Sequence, residues 1–256
     1  MRWFGIIFIC FTFIIVSNGY AATIGDPIEP IGKGVIAMAA EQNLIFSREV
    51  EYGQFRQIDI KDAYQWYAKG IYGLGEYFNI YAKLGISDLE HKIKEGGNDF
   101  DIEYDLGPLW GVGILAATPR WHGLNVGLDS QYAGWYVEVE SLKYNQERSA
   151  DEIGSVLVTE IQETLFVSYS VEAGKNSKLI PYLGISYLYL NNETKDTIEY
   201  DTPQKNGTID FDIDNTQDFH FILGADFVCG ENVSLTLEGT VIYDNRGVMM
   251  GYSYKF

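Results

Sequence analysis

Asp218 and His220 stand two residues apart, a spacing that puts both side chains on one face of an extended strand. A carboxylate beside an imidazole is the least that general-base hydrolysis requires, given a water or nucleophile within hydrogen-bond reach. No second acidic pair completes such a site, and the chain has no Gly-x-Ser-x-Gly elbow, zinc motif or phosphate loop. His91 and His122 fall in a predicted loop and a predicted turn. We read His220 as a histidine satisfied by Asp218, and the chain as a protein that is not an enzyme.

Asp210-Phe211-Asp212-Ile213-Asp214 has the opening of a calcium-binding loop. The match then fails: Asn215 replaces the turn glycine, and Phe221 stands where the bidentate Glu belongs. Alternation puts Asp210, Asp212 and Asp214 on one strand face, a solvated acidic rim with a weak divalent-cation site as the alternative. No cofactor is implied. A third set of charged residues is spread along the chain: Lys69, Lys83 and Lys255 against Asp129, Glu172, Asp226 and Glu238. What they do depends on the elements that carry them.

Those elements are strands. In residues 248–256, Val248, Met250, Tyr252, Tyr254 and Phe256 share one parity, and Met249, Gly251, Ser253 and Lys255 share the other. A period of two gives a strand with one apolar and one mostly small or polar face. The same pattern recurs upstream. Leu235 and Leu237 oppose Thr236 and Glu238; Leu223 and Phe221 oppose Gly224 and Asp226; Leu183 and Ile185 oppose Tyr182 and Gly184. Leu165 and Val167 oppose Ser168, with Glu172 assigned to the same face; Val126 and Leu128 oppose Gly127 and Asp129; Val112 and Ile114 oppose Gly111 and Gly113. Ile80 and Leu84 oppose Lys83 and Gly85; Trp66 and Ala68 oppose Tyr67 and Lys69. A first strand runs from about residue 33 to 46, its facing unreadable. The total is about ten strands, near the roughly 9–11 residues of a tilted membrane-spanning strand or longer.

Short connections near 73–76, 118–123, 174–179 and 229–232 alternate with expected long loops near 47–57, 90–100, 142–153 and 191–210. That asymmetry is the mark of a membrane barrel. Residues 1–21 read as a cleaved export signal: Arg2, an apolar run from Phe4 to Val16, then Gly19 and Ala21 before the cut. The run of about 13 residues is short of the roughly 18–20 that a spanning helix needs. The barrel domain is then 22–256. Losing Arg2 moves the net charge from −18 to −19, and Cys229 is the only cysteine left, so no internal disulfide forms. Any passage through lipid must use strands, and such strands must close. Tyr132, Trp135, Tyr136, Trp110, Trp66, Tyr72, Tyr77, Tyr187 and Tyr189 are candidates for interfacial girdles.

With the export signal, the run Tyr-Phe-Asn-Ile-Tyr-Ala-Lys-Leu-Gly at 77–85, Pro181-Tyr182-Leu183-Gly184 and the ending Gly251-Tyr252-Ser253-Tyr254-Lys255-Phe256, the chain resembles the small outer-membrane β-barrels of the opacity/OmpA-like porin superfamily. The resemblance implies an antiparallel up-and-down transmembrane β-barrel in the bacterial outer membrane, with outer-membrane lipid as its solvent. It implies that Tyr252, Tyr254 and Phe256 are the signal read by the barrel-assembly machinery. Many members have eight strands, the alternative to ten. The inward charges Lys69, Lys83, Lys255, Asp129, Glu172, Asp226 and Glu238 then form either a salt-bridged plug or a narrow polar pore passing small solutes. The acidic stretches 88–105 and 193–214 give the external end a negative field that favours cations or basic partners and repels nucleic acid. The expectation is a monomer with a structural or porin-like role. A surface adhesin or ligand-binding barrel is the alternative, and an omptin-like enzyme stands behind both.

Overall fold

The computed structural model describes residues 28–52, 56–95, 98–145, 147–148, 152–201, 206–209, 212–242 and 245–256. The expected export signal, residues 1–21, lies outside them. Ten long strands follow one another: β1 (Ile36–Tyr52), β2 (Arg56–Gly75), β3 (Phe78–Glu95), β4 (Asn98–Ala117), β5 (Leu124–Tyr144), β6 (Glu152–Tyr169), β7 (Ser177–Asp201), β8 (Asp212–Cys229), β9 (Val233–Ile242) and β10 (Asn245–Lys255). Three short pieces, Glu147–Arg148, Val171–Gly174 and Asn206–Ile209, pair only with β5 or β7 and belong to hairpins. Each long strand pairs antiparallel with the next, and β10 pairs with β1 from Ala37↔Lys255 to Ser47↔Arg246. The sheet is closed, so no edge of backbone donors and acceptors faces outward.

The alternation decides which side chains face out. Ile80, Leu84 and Ile86 on β3, Trp110, Val112 and Ile114 on β4, and Met250, Tyr252 and Tyr254 on β10 are exposed. Lys69, Lys83, Asp129, Asp226 and Glu238 are buried in the interior. An inside-out molecule of this kind, apolar to its surroundings and polar within, is a transmembrane β-barrel. Tyr72, Tyr77, Tyr169, Tyr254 and Phe256 ring the belt where the short turns lie, and Trp66, Trp110 and Tyr132 ring the other side. Trp135 is a correction to the expected girdle. It is buried and points inward, because its parity is that of Asp129 and Gln131.

Where they are described, the expected long loops are mostly strand. Pairing between β1 and β2 runs on to Tyr52↔Arg56, and between β3 and β4 to Glu95↔Asn98. The strands therefore rise past the belt as a β-extension. Its facing obeys the same parity, but the solvent has changed. On β3, Asp88, Glu90, Lys92 and Lys94 continue the outward row of Ile80–Ile86, and Leu89, His91 and Ile93 are buried. On β4 the outward Asp99, Asp101 and Glu103 alternate with buried Phe100, Ile102 and Tyr104. These inward side chains join Ile45, Leu109, Trp135, Val137, Leu142, Val156 and Val158 in an apolar core inside the extension. His91, expected in a loop, is part of that core. Charged residues outnumber the apolar ones in the stretch, but His91 shares the parity of Leu89 and Ile93.

Within the belt the interior is filled by a ring-and-glycine device. Tyr81 lies opposite Gly113, Phe166 opposite Gly127, and Tyr182 opposite Gly224. A Cβ on any of the three glycines would lie 2.1–2.3 Å from the facing ring. The glycine leaves the space that the aromatic side chain occupies.

Trp135→Ala should remove the largest fully buried side chain of the extension core and destabilise the extension by about 3–5 kcal/mol. Limited proteolysis is expected to cut within 88–105 far faster than in the parent protein. The heat-modifiable migration of the belt on gels should persist.

Candidate functional site

The interior of the belt holds the main polar site. β1 contributes Glu41, whose facing the sequence left open because small alanines occupy both faces before it. Glu41 is the centre of the cluster: Lys69 Nζ on β2 is 3.4 Å from its Oε1, and Lys83 Nζ on β3 is 3.9 Å from its Oε2. Lys83 also donates to Gln131 Oε1 at 2.8 Å. The Tyr81 hydroxyl donates to Asp129, 2.8 Å from Oδ1 and 3.0 Å from Oδ2. Lys69 sits over the Tyr81 ring at 4.1 Å, and Lys83 over the Tyr67 ring at 4.7 Å. Lys69 and Lys83 thus meet a carboxylate and an aromatic face, and Asp129 meets a phenol hydroxyl, the kind of pairing that charges buried in a protein interior need.

Below this layer the chain's own N-terminal segment fills the mouth on the short-turn side. Ile28 N donates to Asp226 Oδ2 at 2.9 Å, and Ile31 N donates to Asn79 Oδ1 at 3.1 Å. Thr236 donates to the other oxygen of Asp226 at 2.5 Å, and the Tyr182 hydroxyl donates to Glu238 at 2.7 Å. Glu29 is clamped by the Arg120 guanidinium. Ile28 is fully buried among Leu115, Phe166, Ile180, Tyr182 and Ile222. Ile31 packs with Ala37, Ala39, Ile71 and Tyr81. The lumen is therefore occupied at three levels: this segment, the charged layer, and the apolar core of the extension.

Of the expected lumen charges, Lys69, Lys83 and Asp129 come together around Glu41. Asp226 and Glu238 lie lower and hold the segment and Tyr182. Two positions need correction. Glu172 is exposed in the Val171–Gly174 hairpin arm, because the neighbouring β5 pairs only as far as Leu124↔Tyr169 and the arm, paired Glu172↔Lys178 with β7, projects past it before the chain turns at 175–176. Lys255 is half-buried at the end of β10, at the rim rather than in the charged layer. Glu41, Tyr81 and Gln131 were missed. The signal for Tyr81 and Gln131 was their inward parity with Lys83 and Asp129.

His220 is buried in the wall, paired in register with Ser186. Asp210 lies outside the described residues, as do the side chains of Asp212, Asp214 and Asp218. Among the described residues, no group of three or more His, Cys, Asp or Glu is placed to hold a metal ion. Cys229 is a free thiol.

On the outside of the extension, an irregularity between Tyr104 and Leu109 releases part of β4 from its pairing with β5. Asp105, Leu106 and Pro108 are exposed there. With Asp88, Glu138 and Glu140 they border an acidic recess of about 530 Å³. Lys92 meets Asp101 at 3.1 Å, and that hydrogen bond raises the ammonium above its ordinary pKa. Lys143 meets Glu103 at 3.1 Å. Inside the extension, His91 Nδ1 is 3.0 Å from the Tyr104 hydroxyl. Burial lowers the His91 pKa to about 3 and raises that of Tyr104.

No family model and no curated protein matches the chain. Solved structures do. The β domain of the Bordetella autotransporter BrkA is 9% identical at a TM-score of 0.48, covering 88% of this chain and all of that one. The translocator domain of the autotransporter NalP from Neisseria meningitidis is 15% identical at 0.46, covering 88% and 89%. The outer membrane protease OmpT from Escherichia coli is 10% identical at 0.42, covering 87% and 91%. Likenesses this slight carry no functional argument.

Glu41→Leu should leave Lys69 and Lys83 in the interior without their shared carboxylate and cost about 3–5 kcal/mol. A fall in the urea midpoint of the liposome-inserted barrel would register it, and adding Lys69→Met should recover part of the loss. For His91 the folded pKa lies below the unfolded value near 6.5, so the unfolded chain takes up the proton first. The stability it contributes is complete above about pH 6.5 and is lost as the pH falls toward about 3. Hydrogen exchange across 88–105 should accelerate through that window, and less so in His91→Phe.

Proposed function

We propose that this chain is exported to the bacterial outer membrane and acts there as a sealed barrel. What it does is done by the acidic outer surface of its β-extension. The observation that carries this reading is the occupied lumen. A solute would have to displace the 28–35 segment, part the Glu41–Lys69–Lys83 cluster and pass through the apolar core above it. A porin-like route needs all three to open. The extension, in contrast, offers a rigid surface. Its strands are cross-braced by a core of their own, and its outward rows are rich in Asp and Glu.

The recess gathers four of those carboxylates, Asp88, Asp105, Glu138 and Glu140, and exposed Leu106 and Pro108 lie beside it. Carboxylates around an apolar spot suit a cationic, partly apolar segment of a partner protein. The association would be steered by charge and weakened by salt. The protein on this reading is a non-enzymatic binding barrel. Tyr252, Tyr254 and Phe256, outward at the rim of β10, support the role of an assembly signal.

Two measurements test the proposal. In planar bilayers the barrel should give no stable steps on the nanosiemens scale, and such steps would overturn the sealed reading. A lysine- and leucine-containing peptide should bind the inserted barrel and lose most of its affinity between about 0.05 and 0.5 M salt. Changing Asp88, Asp105, Glu138 and Glu140 together to their amides should weaken that binding at least roughly tenfold, equal to about 1.4 kcal/mol. Unchanged binding would remove the recess from the proposal.

A further inference from the structure

One carboxylate breaks the apolar belt. Glu163 on β6 has outward parity, between exposed Ile161 and Leu165, while its neighbours Gln162 and Thr164 are buried inside. Its register partners are Ser130 on β5 and Tyr187 on β7. Tyr187 packs on Phe219 at 5.3 Å. Glu163 thus sits level with outward aromatics, where acyl chains join their head groups. The Ser130 hydroxyl donates to Glu163 Oε1 at 2.6 Å. Glu163 is only half-buried, so the carboxylate still reaches the surroundings. A charged group on the lipid face is costly toward the midplane and needs donors.

Ser130 also borders a furrow that runs obliquely down the outside of the barrel. Its borders include Ile36, Gly70, Ala82, Ile114 and Ile161, its lining is overwhelmingly apolar, and its volume is about 960 Å³. That is at the upper end of the size of ligand pockets. At Gly70 the space is open: a Cβ there would meet nothing within 4 Å.

We propose that this furrow with Glu163 and Ser130 is a lipid-binding site, and that it takes a lipid whose acyl chain carries a hydrogen-bond donor close to its head. The chain lies in the furrow, and the hydroxyl or amide N–H of its upper end donates to Glu163. A second copy of the barrel is a poorer occupant, because a convex wall touches another along a line and leaves a furrow unfilled. The inference rests on the belt facing lipid.

Native mass spectrometry of the barrel in neutral detergent provides the test, with glycerol monomyristate and methyl myristate as probes. The first carries donors beside its ester, and the second has the same chain and none. Retention of glycerol monomyristate is expected to exceed that of methyl myristate roughly tenfold, as a hydrogen bond to a charged group would give. Glu163→Leu should erase the difference and keep a residual affinity for both. Gly70→Phe, which the open space admits, should abolish retention of both. Equal retention of the two probes by the parent protein, or retention untouched by Gly70→Phe, overturns the proposal. A Glu163-dependent dimer in place of lipid adducts overturns it in favour of a second copy. Protease protection of the same variants in liposomes separates the two readings. Failure to insert removes the lipid-facing belt itself, whereas normal insertion without discrimination removes only the site.

Discussion

Every other feature of this molecule depends on the hydrogen-bonded seam between β1 and β10. A strand in hydrocarbon has no water to satisfy its backbone, so an open sheet would present a full row of unpaired N–H and C=O groups on each edge. The seam joins residues near the two ends of the described chain, Ala37 with Lys255 and onward to Ser47 with Arg246. Once it forms, the wall is complete and the interior becomes a bounded volume that side chains must fill. The glycines opposite Tyr81, Phe166 and Tyr182, the clustering of two lysines on Glu41, and the return of Ile28 to Asp226 all answer that requirement.

Filling has a second consequence. Buried polar groups in a small barrel are chosen by mutual satisfaction, so they specify one arrangement of the wall rather than a path through it. Glu41 cannot leave without stranding both lysines, and Asp226 cannot leave without releasing both the Ile28 amide and Thr236. The polar interior resembles that of a channel by composition, but the contacts are those of a packed core.

The fold was legible because alternation is periodic and strong. β2 to β10 could be placed with their faces from outward rows such as Ile80–Leu84 and Val112–Ile114. β1 could not, because alanines at 37, 39 and 40 fit either face, and with it Glu41 and the centre of the charged layer were lost. The extension resembles loop in sequence because its stretches are rich in acidic residues. The period of two in fact persists through Leu89-Glu90-His91-Lys92-Ile93, with the apolar positions now on the inner face. Glu172 keeps the inward parity of Ser168 but lies where the hairpin has left its neighbour β5, and Trp135 follows its parity inward against the habit of its residue type. Residues 28–35 have no periodicity, and only tertiary contacts show where they go.

That exchange of faces also acts as a ruler. Outward residues are apolar up to Ile86 on β3 and charged from Asp88, and the same change comes between Trp110 and Asp105 on β4. A shift along the barrel axis by one outward position would push carboxylates into hydrocarbon on one side or lift aromatic rings into water on the other. The depth at which the barrel rides in its bilayer is thereby fixed to about one side chain. A bilayer of a different thickness would have to deform to meet it.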